Sequence, residues 1–364
     1  MNMDIEALIR IAKARGASDL HMAVGSPAML RIHGSLTPAE DPIPLTAEDM
    51  EAAFNQITNE KQKIEFQKNM ELDLGYSVPG VVRVRCNAAL QRGTISMVMR
   101  LIPTEIPEID KLGIPEICKD LILKPRGMLI ISGPTGSGKS TTLAAMIDYL
   151  NQTESRRVVT IEDPIEYMYT SQKCNITQRE LGGDTHSFAD ALRHVLRQDP
   201  DVILVGEMRD LETAAAAITI AETGHLVLST GHAPSAYQAV ERVIDLFPPH
   251  ERSLAQTRLA SLLIGILCQA LVPRADGKGR VPAVEIMLAN GAVRNLIREG
   301  KIHQLPNAIR TNSRLGMQLL DHALVSLHKD GVITTENVYA FCNDPDETEK
   351  LIANIEERLI AANL

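Results

Sequence analysis

Between residues 116 and 270, short apolar runs alternate with stretches of helical period. Met128-Leu129-Ile130-Ile131-Ser132, entered through Gly127, is a continuous apolar run, the pattern of a strand buried on both faces. Thr141 to Leu150 then places apolar residues three and four apart, as a helix does. Arg157–Ile161, Val202–Val205 and His225–Thr230 repeat the strand pattern. Alternation of this kind predicts an α/β core with a mostly parallel sheet and helices on both faces.

Ahead of this core, residues 1–102 read as a small α+β domain. Ile5 to Ala14 has a helical period, Met29–Ile32 and Val81–Arg85 alternate like strands, and Gly34, Pro79-Gly80 and Gly93 punctuate them. Three prolines between 103 and 115 predict a stiffened linker or hinge. The most apolar stretch, Leu259 to Val272, is interrupted by Ser261, Gly265 and Gln269 and falls short of the ~20 residues a bilayer requires. A buried helix is expected there. From 271 to 364 the pattern turns helical, with breaks at Pro273 and Gly277-Lys278-Gly279.

A chain of 364 residues can bury the cores of two or three domains. Its 37 basic and 46 acidic residues give a net charge of −9, which argues against a general nucleic-acid surface. Five Phe, six Tyr and no Trp leave little on which bases could stack, so no nucleic-acid partner is expected. Cys86, Cys118, Cys174, Cys268 and Cys342 are dispersed with no Cys-x-x-Cys pair, the usage of reduced thiols in a cytoplasmic protein. Met1-Asn2-Met3-Asp4 lacks the basic opening of a signal peptide. These features predict a soluble cytoplasmic protein that can still dock on a membrane complex.

Between the first core strand and its helix lies Gly133-Pro134-Thr135-Gly136-Ser137-Gly138-Lys139-Ser140, the full Gly-x-x-x-x-Gly-Lys-Ser pattern. A glycine loop between a buried strand and a helix aims backbone N–H groups and the helix N-terminus at phosphates. Gly133 through Thr141 are therefore the candidate ATP-binding residues. Lys139 is placed to reach the β- and γ-phosphates, and the Ser140 hydroxyl to hold Mg²⁺.

Three further clusters stand where parallel strands should end, the edge at which an open α/β sheet places its ligand. Glu162-Asp163-Pro164-Ile165-Glu166 follows one strand and could hold Mg²⁺ through water or polarise an attacking water, although a solvated acidic turn has the same pattern. Asp201 to Val205 leads into Gly206-Glu207-Met208-Arg209-Asp210, where Glu207 takes the acidic position and Gly206 stands where Asp is usual. Glu207 is the candidate for positioning water or metal. Thr223 to His232 ends in a histidine able to sense the γ-phosphate or orient water, though a single histidine at a strand end is more often structural. Arg83, Arg85 and Arg100 lie on predicted strands of the first domain, and Arg85 and Arg100 are the candidate arginine fingers.

Together these four boxes resemble those of the secretion-type hexameric ATPases, and within them the type IV pilus retraction ATPases of the PilT kind. Gly16-Ala17-Ser18-Asp19-Leu20-His21 resembles the family's opening motif, and Ala292-Val293-Arg294-Asn295-Leu296-Ile297-Arg298-Glu299 its C-terminal signature. The resemblance implies a PAS-like domain over 1–102, a linker over 103–115, a RecA-like ATPase core over 116–270 and a helical region over 271–364. It further implies a homohexameric motor using ATP and Mg²⁺, seated on the inner-membrane pilus platform protein. Glu207, Glu162, His232, Arg85 and Arg100 would serve catalysis, with Ser140, Glu162 and Glu207 at the metal. Gly231-His232-Ala233-Pro234-Ser235-Ala236 departs from the family's histidine box by a lost Thr and an added Pro. The residues from about 338 on depart from its short tail. An accessory paralogue of the PilU kind, or an assembly or type II secretion ATPase, is the alternative.

Overall fold

The computed structural model describes residues 3–40, 42–103 and 105–362, with side chains through 353. Met1 and Asn2 of the chain start, Asp41, Thr104 of the linker and the last two residues of the C-terminal region lie outside it. The chain forms two compact units. One runs to Glu105 and takes in Pro164–Met168 and Gly182–Asp184; the other holds Ile106–Asp163, Tyr169–Leu181 and the chain from Thr185 on.

The first unit contains α1 (Ile5–Ala14), β1 (Asp19–Ala23), β2 (Met29–Ile32), β3 (Ser35–Pro38), α2 (Ala47–Ile57), α3 (Glu60–Asn69), β4 (Glu71–Val78), β5 (Val82–Gln91) and β6 (Thr94–Leu101). Local chemistry starts each helix. Asp4 accepts from the Ala7 N–H, and Thr46/Asp49 and Asn59/Gln62 form capping boxes for α2 and α3. The strands make one antiparallel sheet in the order β3-β2-β1-β6-β5-β4. Period-two alternation sends Leu20, Met22, Val84, Cys86, Met97 and Met99 into the core with α1 and α2. The same alternation leaves Asp19, Arg85 and Arg100 on the opposite face. This is the small α+β domain the alternating patterns predict.

The second unit begins with α4 (Ile117–Ile122), β7 (Gly127–Ser132), α5 (Lys139–Thr153), β8 (Arg157–Glu162), β9 (Asn175–Glu180) and α6 (Phe188–Val195). It continues through β10 (Val202–Glu207), α7 (Leu211–Glu222), β11 (Leu226–Thr230), α8 (Ala236–Asp245), α9 (Arg252–Leu262), β12 (Leu263–Pro273) and β13 (Arg280–Leu288). Helices α10 (Gly291–Arg298), α11 (Leu305–Thr311), α12 (Leu320–Lys329), α13 (Thr335–Phe341) and α14 (Pro345–Ala362) complete it. The sheet order is β13-β12-β7-β11-β10-β8-β9, parallel except for β13. Along β7, Met128 and Ile130 pack with residues of α6 to α9, while Leu129 and Ile131 pack with α4 and α5. Burial on both faces is why this strand reads as an unbroken apolar run.

Three expectations are corrected. Leu259–Val272 is not a buried helix: α9 stops at Leu262 and the rest is strand β12, parallel to β7. A segment buried on every side has no polar face to reveal its period, so helix and strand look alike. Residues 280–288 are not helical either, because Gly277-Lys278-Gly279 turns β12 into the antiparallel hairpin partner β13. The sheet therefore reaches Leu288, and the helical C-terminal part starts at Gly291. The stiffened linker or hinge expected over 103–115 is also not a linker along its whole length. Ile106, Ile109, Leu112 and Ile114 pack into the second unit's core, with a 3₁₀ turn at Ile109–Lys111.

Candidate active site

Strands β7, β11, β10 and β8 are neighbours and parallel, so their C-terminal ends share one edge of the sheet. The glycine loop follows β7, His232 follows β11, Glu207 ends β10 and Glu162 ends β8. The sequence spreads these residues over residues 133–232, and strand order gathers them.

The loop is built as a phosphate cradle. Gly133 has φ 139°, and a Cβ there would lie 2.2 Å from the Gln269 carbonyl oxygen, so only glycine fits. Gly138 caps α5 without any side-chain hydrogen bond, so the N-terminus of the helix adjoins the loop with no capping side chain of its own. The buried Ser137 hydroxyl has no partner among the described residues, an orphaned polar atom at the position a phosphate would take. Lys139 is 9 % exposed, and its Nζ donates to the carbonyls of Gly133 (2.8 Å) and Pro134 (3.0 Å). The ammonium is thus held over the loop by neutral carbonyls, which a phosphate oxygen can replace at a gain in charge pairing.

Glu207 owes its place to a bulge. The register of β10 and β11 shifts between Val205 and Glu207, so that Glu207 stands opposite Thr230. At Gly206 a Cβ would sit 3.2 Å from the Ile161 carbonyl oxygen, a tight approach that explains a glycine where an acid is usual. The Glu207 carboxylate pairs with Arg209 through one oxygen, and its other oxygen lies 3.4 Å from His232 Nε2. Arg209 also reaches Asp163 at 3.9 Å. Burial raises the Glu207 carboxyl, but the hydrogen bond and charge of Arg209, and then His232, outweigh it and hold the group below the ordinary glutamate value. Glu207 is therefore an ionised acceptor beside an imidazole, able to orient water and take its proton. Glu207, Arg209 and His232 line a cavity with Ser132 and Ile130 that leaves room for water.

Glu162 is buried at 7 % exposure, and its Oε1 accepts from Thr160 Oγ1 (2.6 Å) and Gln178 Nε2 (3.2 Å). A carboxylate oriented this firmly is no solvated acidic turn. Among the described residues no three His, Cys, Asp or Glu converge as metal ligands.

A family model for "Type II/IV secretion system protein" matches residues 2–356. The chain is 46 % identical over 335 residues to the type IV pilus retraction ATPase PilT of Pseudomonas aeruginosa, covering 92 % of this chain and 97 % of that one. It belongs to the type II/IV secretion ATPase family. It is also 41 % identical over 350 residues to the type IV pilus ATPase PilU of the same organism, covering 96 % of this chain and 91 % of that one. The crystal structure of the pilus retraction motor PilT with bound ADP matches with a TM-score of 0.87 and 43 % identity, over 96 % of this chain and all of that one. The fold class expected from the sequence, and an ATPase that binds nucleotide, follow from this membership.

As a member of that family the chain carries its motifs on identifiable elements. Arg85 and Arg100 are direct cross-strand partners on β5 and β6, and Arg100 Nε pairs with Asp19 Oδ1 at 3.0 Å. Asp19 belongs to the opening motif, and its carboxylate holds the Arg100 guanidinium. In the C-terminal signature, Val293 and Ile297 are buried, and Arg294 donates to the carbonyls of Ala289 (2.8 Å) and Ala260 (2.9 Å), tying α10 to α9.

Sequence reasoning overlooked two groups that shape the site. Arg209 lies in the acidic segment after β10, but nothing in the pattern of residues assigns it a role. In the sequence Gln269 is only an interruption of an apolar run. On β12 it is 5 % exposed, donates from Nε2 to the Ser137 carbonyl (2.8 Å) and accepts from Thr142 Oγ1 (2.8 Å). It therefore ties the glycine loop to the helix behind it. Gln269→Leu leaves both partners buried and unpaired, at about 1 kcal/mol or more each. We expect nucleotide affinity to fall about tenfold in a fluorescent-nucleotide titration; an unchanged affinity in the folded variant would remove the clamp.

Proposed function

We propose that this ATPase is a homohexameric motor of the cytoplasmic face, which hydrolyses Mg·ATP to withdraw pilin subunits at an inner-membrane platform and so retracts a type IV pilus. The end-to-end similarity to a retraction ATPase carries this reading, since it spans the glycine loop, the acidic ends of β8 and β10, the histidine loop and the C-terminal signature together. No helix among the described residues is long and apolar enough to cross a membrane, so contact with the platform would be peripheral.

In this reading Lys139 neutralises phosphate charge, and Glu207 with His232 orients the attacking water and takes its proton. The hydroxyl of Ser140 and the carboxylates of Glu162 and Glu207 form an all-oxygen donor set suited to Mg²⁺, which would offset charge developing on the transferred phosphoryl group. Arg85 and Arg100 supply the mobile positive charge a single glycine-loop site lacks. Deleting the gene and scoring surface pili tests the proposal. Excess pili with lost twitching is the expected result, and bald cells would reject retraction in favour of assembly.

An accessory retraction ATPase is the second reading, favoured by the similarity to PilU over 96 % of the chain and by the long terminal helix α14. In that role the paralogous ATPase would be the partner. Steady-state hydrolysis by the purified protein separates the two, because a subunit that mainly braces another motor turns over little ATP alone.

A further inference from the structure

Glu285 on β13 is a buried carboxylate, 3 % exposed, with no ion-pair partner among the described residues. A charge in that position is costly unless hydrogen bonds compensate it. Here the compensation is two helix starts. Oε1 accepts the N–H of Ala236, the first residue of α8, at 2.6 Å. Oε2 accepts the N–H of Leu320, the first residue of α12, at 3.2 Å. Neither helix is capped by its own preceding side chain: Ser235 turns its hydroxyl to Gln238, and Leu319 has none. One carboxylate thus caps two helices whose positive dipole ends converge on it. Burial pushes this carboxyl up to about 7, while the two N–H bonds favour its charged form.

Helix α8 begins four positions after His232, and the intervening loop is pinned at three points. The Gly231 N–H donates to the Ile131 carbonyl (2.9 Å), Ser132 Oγ donates to the Ala233 carbonyl (2.7 Å), and the Ala236 N–H donates to Glu285. His232 lies between the first two anchors, with Nε2 3.4 Å from Glu207. We propose that Glu285 is a positioning residue: capping α8, it fixes the loop that holds His232 against Glu207, and capping α12 with its other oxygen, it ties that loop to the C-terminal helices. The inference rests on the hydrolytic roles of Glu207 and His232. Without its cap the first turn of a helix loses a hydrogen bond, and the adjoining loop is free to move. Misplacement by about an ångström costs up to ~10²-fold in rate.

The test is a double-mutant cycle on the full-length protein with Glu285→Gln, His232→Ala and the pair, reading kcat and nucleotide Kd. Glu285→Gln keeps the volume but presents an amide NH₂ to one of the two N–H donors. It is expected to lower kcat about tenfold with Kd within twofold, and the double variant should be no slower than His232→Ala alone. Multiplying losses, a wild-type kcat for Glu285→Gln, or a loss in Kd instead of kcat each overturn the proposal. So does a neutral His232→Ala beside a slow Glu285→Gln, since Glu285 then acts through another group. If Glu285→Gln does not fold, Ala236→Pro removes the donor from the other side. Proline is favoured at a first helical position, and Ser235 already has the extended backbone that must precede it (φ −136°, ψ 159°). The same cycle with that variant has the same expected and overturning outcomes. A Glu207→Gln enzyme with wild-type turnover would instead reject the reading of the site on which the inference stands.

Discussion

Lys139→Ala is expected to lower ATP hydrolysis by about 10³-fold, the scale of removing a preorganised charge from a developing phosphoryl transition state. Nucleotide affinity should fall with it, because the same ammonium offsets ground-state phosphate charge. The fold should survive. In the protein Lys139 Nζ contacts the Gly133 and Pro134 carbonyls at the mouth of the loop, and water can take over those acceptors when the side chain is shortened. The core beneath is made by Met128–Ile131 and the apolar face of α5, which the substitution leaves alone. Phosphate release and a thermal melt on the same preparation check both halves. A folded variant with unchanged turnover would end the assignment of the glycine loop to ATP.

Glu207→Gln is expected to separate binding from cleavage. The amide preserves size while removing the charge that accepts a proton from water, so the variant should hold Mg·ATP yet hydrolyse it at less than about a tenth of the wild-type rate. That is a loss of more than ~1.4 kcal/mol in transition-state stabilisation. Its neighbours sharpen the expectation: Arg209 loses its ionic partner, and the amide's single oxygen can serve only one of Arg209 and His232, so the whole water-orienting group is disturbed. The pH dependence has a definite sign. With its carboxyl held below the ordinary glutamate value, Glu207 stays ionised at neutral pH and protonates only as pH falls below that value. Any loss of rate between pH 8 and about 5 must then come from another group. Retention of most activity by Glu207→Gln would move the main catalytic role to Glu162.

Gly133 to Ser140 was legible because an eight-residue motif with a strand before it and a helix behind it is specified by neighbours in the chain. The strands ending at Glu162, Glu207 and Thr230 were legible because each is an apolar run followed by a polar break. Strand β12 was not, since full burial removes the polar face that distinguishes period two from period 3.6. Gln269 and Glu285 were invisible as site residues for the same reason: each is a single polar position on a buried strand, and only its partners give it meaning.

The sequence alone determined the chemistry on offer: a phosphate loop, acids and a histidine at strand ends, and an α/β sheet to carry them. Those depend on local propensity and on spacings of a few residues. The tertiary structure decided which of these groups meet. The insertion of β11 and β10 between β7 and β8, the bulge at Gly206 and the return of β12 and β13 to the sheet bring together residues far apart in the chain. Contacts at such separation are chosen by which packing buries the most apolar surface while satisfying every buried polar group. That is a property of the whole fold, and no short segment encodes it.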